Sequence, residues 1–293
     1  MDPDYVIFAR IVETGSLSAA GRLMAISPAM ISKRLKRLEA RLGIALLHRT
    51  TRKLGLTEAG RQFYADVHGI LQAIDTAEQR IVGVRGEPSG ALRISAPTSF
   101  GRLHIAPILG DFLDRFPRVR LELDLSDGYV DLFDGRFDLA VRITATRPPG
   151  LQYHRLCDSR RILCASPSYL QRHDGPSSVA ALHHHRLLAA TGQMPWRLVN
   201  GGRSIQISAE SHVKTNSSEV VRELAIAGAG IALRSLWDIE TMLATRTLVP
   251  VLPGWGGSSE LAVYAVHPRA QTMPAAVTAV ISQLKASLNG GIE

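Results

Sequence analysis

Two cysteines in 293 residues, Cys157 and Cys164, exclude a disulfide-stapled scaffold and fit a reducing compartment. No uninterrupted apolar run is long enough for a transmembrane helix. The chain opens Met1-Asp2-Pro3-Asp4, an acidic start without the basic and apolar stretches of a secretory leader. A cytoplasmic protein with no membrane partner is the expectation. A Gly-x-Ser-x-Gly nucleophile motif, a phosphate-binding loop and a convincing catalytic constellation are also missing. No catalytic residue, metal or cofactor is therefore expected. His183-His184-His185 cannot easily face one ion from one element, and no cysteine or carboxylate sits at ligand spacing beside them. They read as a surface loop or helix end. Gly228-Ala229-Gly230 follows a helical pattern and precedes a strand-like one, the reverse of a dinucleotide fingerprint, so a helix end is its expected role. Cys157 and Cys164, seven apart, are either a redox pair or small hydrophobes buried in strands.

What is present is a core and a concentrated charge. The composition is 45% hydrophobic, enough for two or three domains in a chain of this length. Residues 27–61 hold nine Lys/Arg against Glu39 and Glu58, or +7 of the total +8. A short basic segment on a nearly neutral body is the electrostatic footprint of a nucleic-acid binder, although a solvated helical face gives the same count.

The pattern around that segment is more specific. Tyr5, Phe8, Ala9 and Val12 fall at helical spacing up to Gly15. Ser16 can cap a second helix to Met24. Ser27 can cap a third, with Pro28 at its first position and Gly43 as its stop. Ile31, Leu35, Leu38 and Leu42 make one buried stripe on that third helix, leaving Met30, Ser32, Lys33, Arg34, Arg37 and Arg41 outside. The N-terminal residues of a recognition helix reach base edges in the major groove. Here these are Ser27, Pro28, Ala29, Met30 and Ser32, with the cations Lys33, Arg34 and Arg37 set to meet phosphates. From Leu46 to Leu54 two apolar pieces flank a basic turn, a wing that would bring Arg49, Arg52 and Lys53 beside the backbone or a minor groove.

Thr57 can cap a long helix to about Arg85. Phe63, Val67, Ile70, Ile74, Ala77, Ile81 and Val84 alternate steps of four and three, an a/d seam that suits a helix partner from a second copy better than a broad core-facing stripe. Gly86-Glu87-Pro88-Ser89-Gly90 then reads as a hinge. From Ala91 strands and helices alternate, which predicts an α/β sheet region. Strands are expected at 92–95, 119–125, 139–143, 153–156, 161–165, 213–215, 231–233 and 261–266. Helices are expected at 105–116, 218–227 and 274–288. Thr98, Ser99 and Phe100 follow the strand ending at Ser95, and Asn216 and Ser217 follow the one ending at Thr215. Both pairs of polar residues sit where a helix begins, and helix N-termini suit small anions. Ser126 and Arg142 close two further strands, and ligands of open α/β sheets bind beyond such ends. The same hydroxyls and amide also serve as ordinary helix caps.

The segment from Phe8 to Gly60 resembles the DNA-binding domain of LysR-type transcriptional regulators. The residues that carry the resemblance are Phe8, Gly15 to Ala20, Ser27-Pro28-Ala29, Ile31-Ser32, Lys36 to Glu39, Leu42-Gly43, Leu47-His48-Arg49 and Leu56 to Gly60. The family's effector domain is echoed more loosely in Leu92-Arg93-Ile94, Phe112 to Pro117, Phe137 to Arg142, Ser159 to Leu170 and Gly228 to Ala232. The resemblance implies an all-α-type N-terminal winged helix-turn-helix (1–60), a linker helix (57–86) that pairs two subunits, and a two-lobed α/β effector domain (87–293) like periplasmic binding proteins. Lobe one would be 91–160 plus 267–293, and lobe two 161–266. It implies double-stranded promoter DNA and RNA polymerase as partners, a dimer or tetramer, nucleoid association, and a small-molecule coinducer. That coinducer, expected to be an anionic metabolite, would lie between the lobes against Thr98, Ser99, Phe100, Ser126, Arg142, Asn216 and Ser217. The competing expectation is a solute-binding or enzymatic α/β protein with a basic N-terminal interaction module; it leaves the capped basic helix, the wing and the heptad seam without a purpose.

Overall fold

The computed structural model describes residues 2–49, 54–81, 87–269 and 273–288. Three helices come first: α1 (Pro3–Thr14), α2 (Leu17–Met24) and α3 (Pro28–Leu42). Each begins at a side-chain cap. Asp2 accepts from the Asp4 amide, Ser16 from Ala19 and Ser27 from Met30, satisfying amides that a helix start leaves free. Phe8, Ile11, Ala20, Ile31, Leu35 and Leu38 share one buried core. Leu42, expected in the same stripe, is exposed in the last turn of α3.

The wing pairs β1 (Leu47–Arg49) antiparallel with β2 (Leu54–Leu56). It leads into α4 (Glu58–Ile81). Thr57 Oγ1 accepts from the Gly60 amide at 2.9 Å and donates to the Ala45 carbonyl at 2.8 Å, which sets the first turn of α4 against the start of the wing. Gly60 is required there, because a Cβ would stand 2.0 Å from the Leu46 carbonyl oxygen.

The rest of the chain runs β3 (Gly90–Ala96), α5 (Thr98–Phe100), a wide turn Gly101–Ile105, α6 (Ala106–Arg115), β4 (Val119–Leu125), β5 (Leu139–Thr144), β6 (Leu151–Asp158) and β7 (Arg161–Ala165). It continues with α7 (Pro167–His173), β8 (Leu187–Leu188), β9 (Trp196–Asn200), β10 (Arg203–Ile207), α8 (Ser218–Ile226), β11 (Ile231–Ser235) and α9 (Leu236–Ala244). The last elements are β12 (Val249–Pro250), β13 (Gly256–Gly257), β14 (Ala262–Pro268) and α10 (Ala275–Leu288). Residues 98–115 form one continuous helical run, so the helix expected from Ile105 starts seven residues earlier.

Two sheets define two lobes. The first has the order β4-β3-β5-β14-β6, with β3 parallel to β4 and β5. The second has the order β10-β9-β13-β7-β11-β8, with β12 also on β7. Leu92, Ile94, Phe112, Val141, Val280 and Leu284 fill the core of lobe one. In lobe two β7 alternates: Leu163 joins a core with Tyr169 and Trp196, and Cys164 joins a core with Val221 and Ile239 on the opposite face.

Residues 213–215 form no strand; three residues of alternation were too short a signal. Residues 262–268 pair antiparallel with both β5 and β6, so this strand belongs to lobe one and not to a lobe two ending at 266. The chain crosses between lobes at 158–161 and returns at 257–262. No helix among the described residues is long and apolar enough to cross a membrane.

Candidate DNA-binding and effector-binding sites

Ser27, Pro28, Ala29, Met30 and Lys33 are exposed along the start of α3, and Ser32 is half-buried beside them. The Ser27 hydroxyl also accepts from the Met30 amide at 3.3 Å, so the cap and the exposed strip coincide. Arg37, expected at phosphates, places Nε at 2.9 Å and Nη2 at 2.7 Å from Asp4 Oδ2 with its side chain still 67% exposed, and Arg34 Nη1 stands 3.8 Å from Asp4 Oδ1. Asp4 is 2% exposed. This carboxylate, absent from the sequence-based expectations, braces α3 against α1. Among the described residues no ion pair engages Lys33 or Lys36, so they are the free cations of this face. Arg49 ends β1; Arg52 and Lys53 lie outside the described residues.

The seam of α4 divides. Phe63 and Val67 pack on the chain's own helix-turn-helix core, Phe63 lying 5.4 Å from the Tyr5 ring and 5.6 Å from the Phe8 ring. Val67 is 2% exposed and is therefore not the subunit contact expected of it, while Phe63 is half-buried. Ile70 and Ile74 are 50% and 37% exposed, an apolar pair left uncovered. Ala77 and Ile81 continue the helix, and Val84 lies outside the described residues.

Between the lobes, Thr98, Ser99, Ser126 and Arg142 gather at the carboxyl edge of the parallel strands β3, β4 and β5. Arg142 is 8% exposed; Nη1 donates to the Val141 carbonyl at 3.0 Å, Nη2 to Ser95 Oγ at 3.3 Å, and the guanidinium lies over Tyr129. Burial lowers its pKa, and Tyr129 and Asp124 oppose that shift. The Ser99 hydroxyl is buried with no hydrogen-bond partner among the described residues. Phe100 has no exposed surface: it packs edge-on against Trp237 at 5.0 Å, so its ring belongs to the core and not to a ligand wall. Asn216 is exposed, and Ser217 caps α8 by accepting from the Val220 amide at 3.4 Å.

Asp127 is the residue the sequence reading missed. Its Oδ1 accepts from the Thr98 amide at 2.8 Å and its Oδ2 from the Ser218 amide at 2.6 Å. One carboxylate thus spans the helix starts of both lobes, occupying the amides expected to hold an effector anion. Arg102 of lobe one adds an ion pair to Glu219 of lobe two at 2.9 Å.

Lobe one also meets the DNA-binding domain. Arg93 on β3 approaches Glu13 of α1 at 3.2 Å and His68 Nε2 of α4 at 3.1 Å, and its amide donates to Asp138 at 2.7 Å. Burial, reinforced by Arg93 and opposed by Asp138, lowers the His68 pKa. Two residues along the same strand, Ser95 touches Arg142.

Other candidates resolve simply. Burial pushes the Cys157 thiol up to about 11 and the Cys164 thiol up to about 12, against the thiolate that redox chemistry needs. The histidine run ends a short helical turn at 180–184, and among the described residues no cluster of three metal-ligating side chains occurs.

A winged helix-turn-helix, a long connecting helix and a two-lobed α/β domain with a polar interlobe cleft define a ligand-responsive DNA-binding regulator. Residues 4–61 match the family model for bacterial regulatory helix-turn-helix proteins of the lysR family, and residues 85–289 match the LysR substrate binding domain. The HTH-type transcriptional activator TtdR of Escherichia coli is 34% identical over 266 residues, covering 89% of this chain and 86% of TtdR. The HTH-type transcriptional regulator CrgA of Neisseria meningitidis is 35% identical over 253 residues, covering 85% and 84%. The full-length structure of the Vibrio cholerae virulence activator AphB, a member of the LTTR protein family, aligns with a TM-score of 0.64 at 29% identity, covering 98% of this chain and 100% of AphB. The chain belongs to the LysR family of transcriptional regulators.

Proposed function

We propose that this regulator reads promoter DNA with Ser27–Met30 and answers to a small anionic metabolite held by Arg142. Arg142 carries the reading: it is a buried guanidinium between the lobes whose hydrogen bonds among the described residues go to neutral oxygens, and a charge so placed is stabilised by an anion from outside. Thr98, Ser99, Ser126, Asn216 and Ser217 complete the wall. Strand β3 connects Ser95 at that wall to Arg93 at the Glu13 and His68 contacts, a route from ligand to DNA-binding domain. Ile70, Ile74, Ala77, Ile81 and Val84 hold a dimer that assembles further into a tetramer, acts with RNA polymerase on the nucleoid in the cytoplasm, and catalyses no reaction.

Two outcomes test this. In fluorescence anisotropy with the chain's own upstream duplex, Lys33→Ala lowers the log–log salt slope by about one, and changes at Pro28 or Ala29 alter sequence preference instead. A Lys33→Ala variant with the wild-type slope removes it from the phosphates. A thermal-shift panel of small mono- and dicarboxylates on the full chain should yield a stabilising ligand whose effect Arg142→Met abolishes. Wild-type affinity in that variant places the ligand elsewhere.

A further inference from the structure

A second groove lies at the crossing between the lobes. It encloses about 930 Å³ and is lined by both crossing segments, 158–161 and 257–261, together with the β9–β10 turn. None of Thr98, Ser99, Asp127, Arg142 or Ser218 lines it. Its charge is one-sided. Arg160, Arg161, Arg197 and Arg203 face it with one carboxylate, Asp158, which is ion-paired to Arg155 outside the groove. Arg197 also reaches Glu260 at 3.5 Å.

Arg161 is the unusual member. The residue is half-buried, but among the described residues its buried Nε has no hydrogen-bond partner and no acid forms an ion pair with it. Burial lowers its pKa and Arg234 lowers it further, with no acid offsetting either. At Gly257 a Cβ would stand 2.9 Å from both Arg161 Cβ and Arg161 Nε, so glycine lets this side chain lie against β13 as it does. Part of this guanidinium is desolvated without a partner, a cost that an anion arriving in the groove offsets. Trp237 and Trp255 give the groove apolar walls suited to the body of an organic ligand.

We propose that this groove is a second anion site, separate from the cleft at Arg142, which takes a small ligand carrying at least two negative charges on Arg161, Arg160 and Arg203. Both segments that join the lobes touch it, so occupancy biases the angle between them. A phosphate compound or a polycarboxylate would each satisfy the arginines.

The test is thermal unfolding of the full chain with inorganic pyrophosphate or citrate at constant ionic strength. Both the wild type and Arg142→Met should gain melting temperature with at least one probe, and Arg161→Met should gain none. The probe that saturates at lower concentration identifies the charge carrier. Without probe, Arg161→Met should melt at or above the wild-type temperature, because it removes a cation that is partly desolvated without a partner. A clear loss of stability there, an undiminished response in Arg161→Met, or no response to either probe in the wild type overturns the proposal. Loss of the response in Arg142→Met as well would assign both effects to the cleft and also overturn it.

Discussion

Replacing Asp238 by alanine is expected to destabilise the second lobe by about 3–5 kcal/mol, the usual consequence of removing one partner from a buried ion pair. Asp238 is 3% exposed. Its Oδ1 accepts from Arg222 Nη1 at 2.7 Å, and its Oδ2 accepts from Arg234 Nε at 2.9 Å and from Arg234 Nη2. The two arginine side chains are 6% and 5% exposed. Arg222 keeps Glu223 at 3.1 Å after the substitution, but among the described residues Arg234 keeps no acid. Arg161 already lies close enough to feel the charge of Arg234, so the lost carboxylate leaves these two cations repelling each other without it. A domain of this size moves by roughly 2–4 °C per kcal/mol, so the melting transition should fall by about 6–20 °C. Adding Arg234→Met to Asp238→Leu should recover much of the loss, because an apolar replacement of the whole pair strands no charge. A single Asp238→Ala variant within about 1 kcal/mol of the wild type would show that water or relaxation compensates the arginines.

The N-terminal domain was legible because its signals are local. Ser16 and Ser27 cap, Pro28 starts and Gly43 stops within a few residues of the elements they bound. The seam of α4 was legible as a face but not as a destination. A step of three and four names the residues on one side, and Phe63 and Val67 turned that side to their own core while Ile70 and Ile74 did not. The hairpin of β9 and β10 went unread although Gly201-Gly202 marks its turn, since β10 faces mostly solvent and its alternation is only the pair Ile205 and Ile207. Arg142 stood out as a cation closing a buried strand. Asp4 and Asp127 did not, because their partners lie 33 and 91 positions away. Asp127 beside Gly128 reads as a turn residue, and nothing local announces that its carboxylate reaches another lobe.

That reach makes Asp127 the point where the cleft is held. Oxygens of one carboxylate accept from Thr98 at the start of a lobe-one helix and from Ser218 at the start of α8. Each helix start carries partial positive charge, so a carboxylate there draws the two lobes together. It also occupies the place a ligand carboxylate would take, which leaves Arg142 as the cation still open to an effector. Asp127→Ala should loosen the link and leave Arg102–Glu219 and the Phe100–Trp237 packing to join the lobes. Charge-assisted bonds of about 1.5–3 kcal/mol correspond to roughly 10–100-fold faster local opening, read as faster hydrogen exchange at the Thr98 and Ser218 amides. Added acetate should restore protection in the alanine variant by supplying the missing carboxylate in trans, and should have little effect on the wild type, where Asp127 already fills the position. Exchange that stays at wild-type rates at both amides after the substitution would mean that the bridge does not hold the lobes. Faster exchange without acetate rescue would mean that Asp127 acts through the shape of its own loop and not as an anion between the helices.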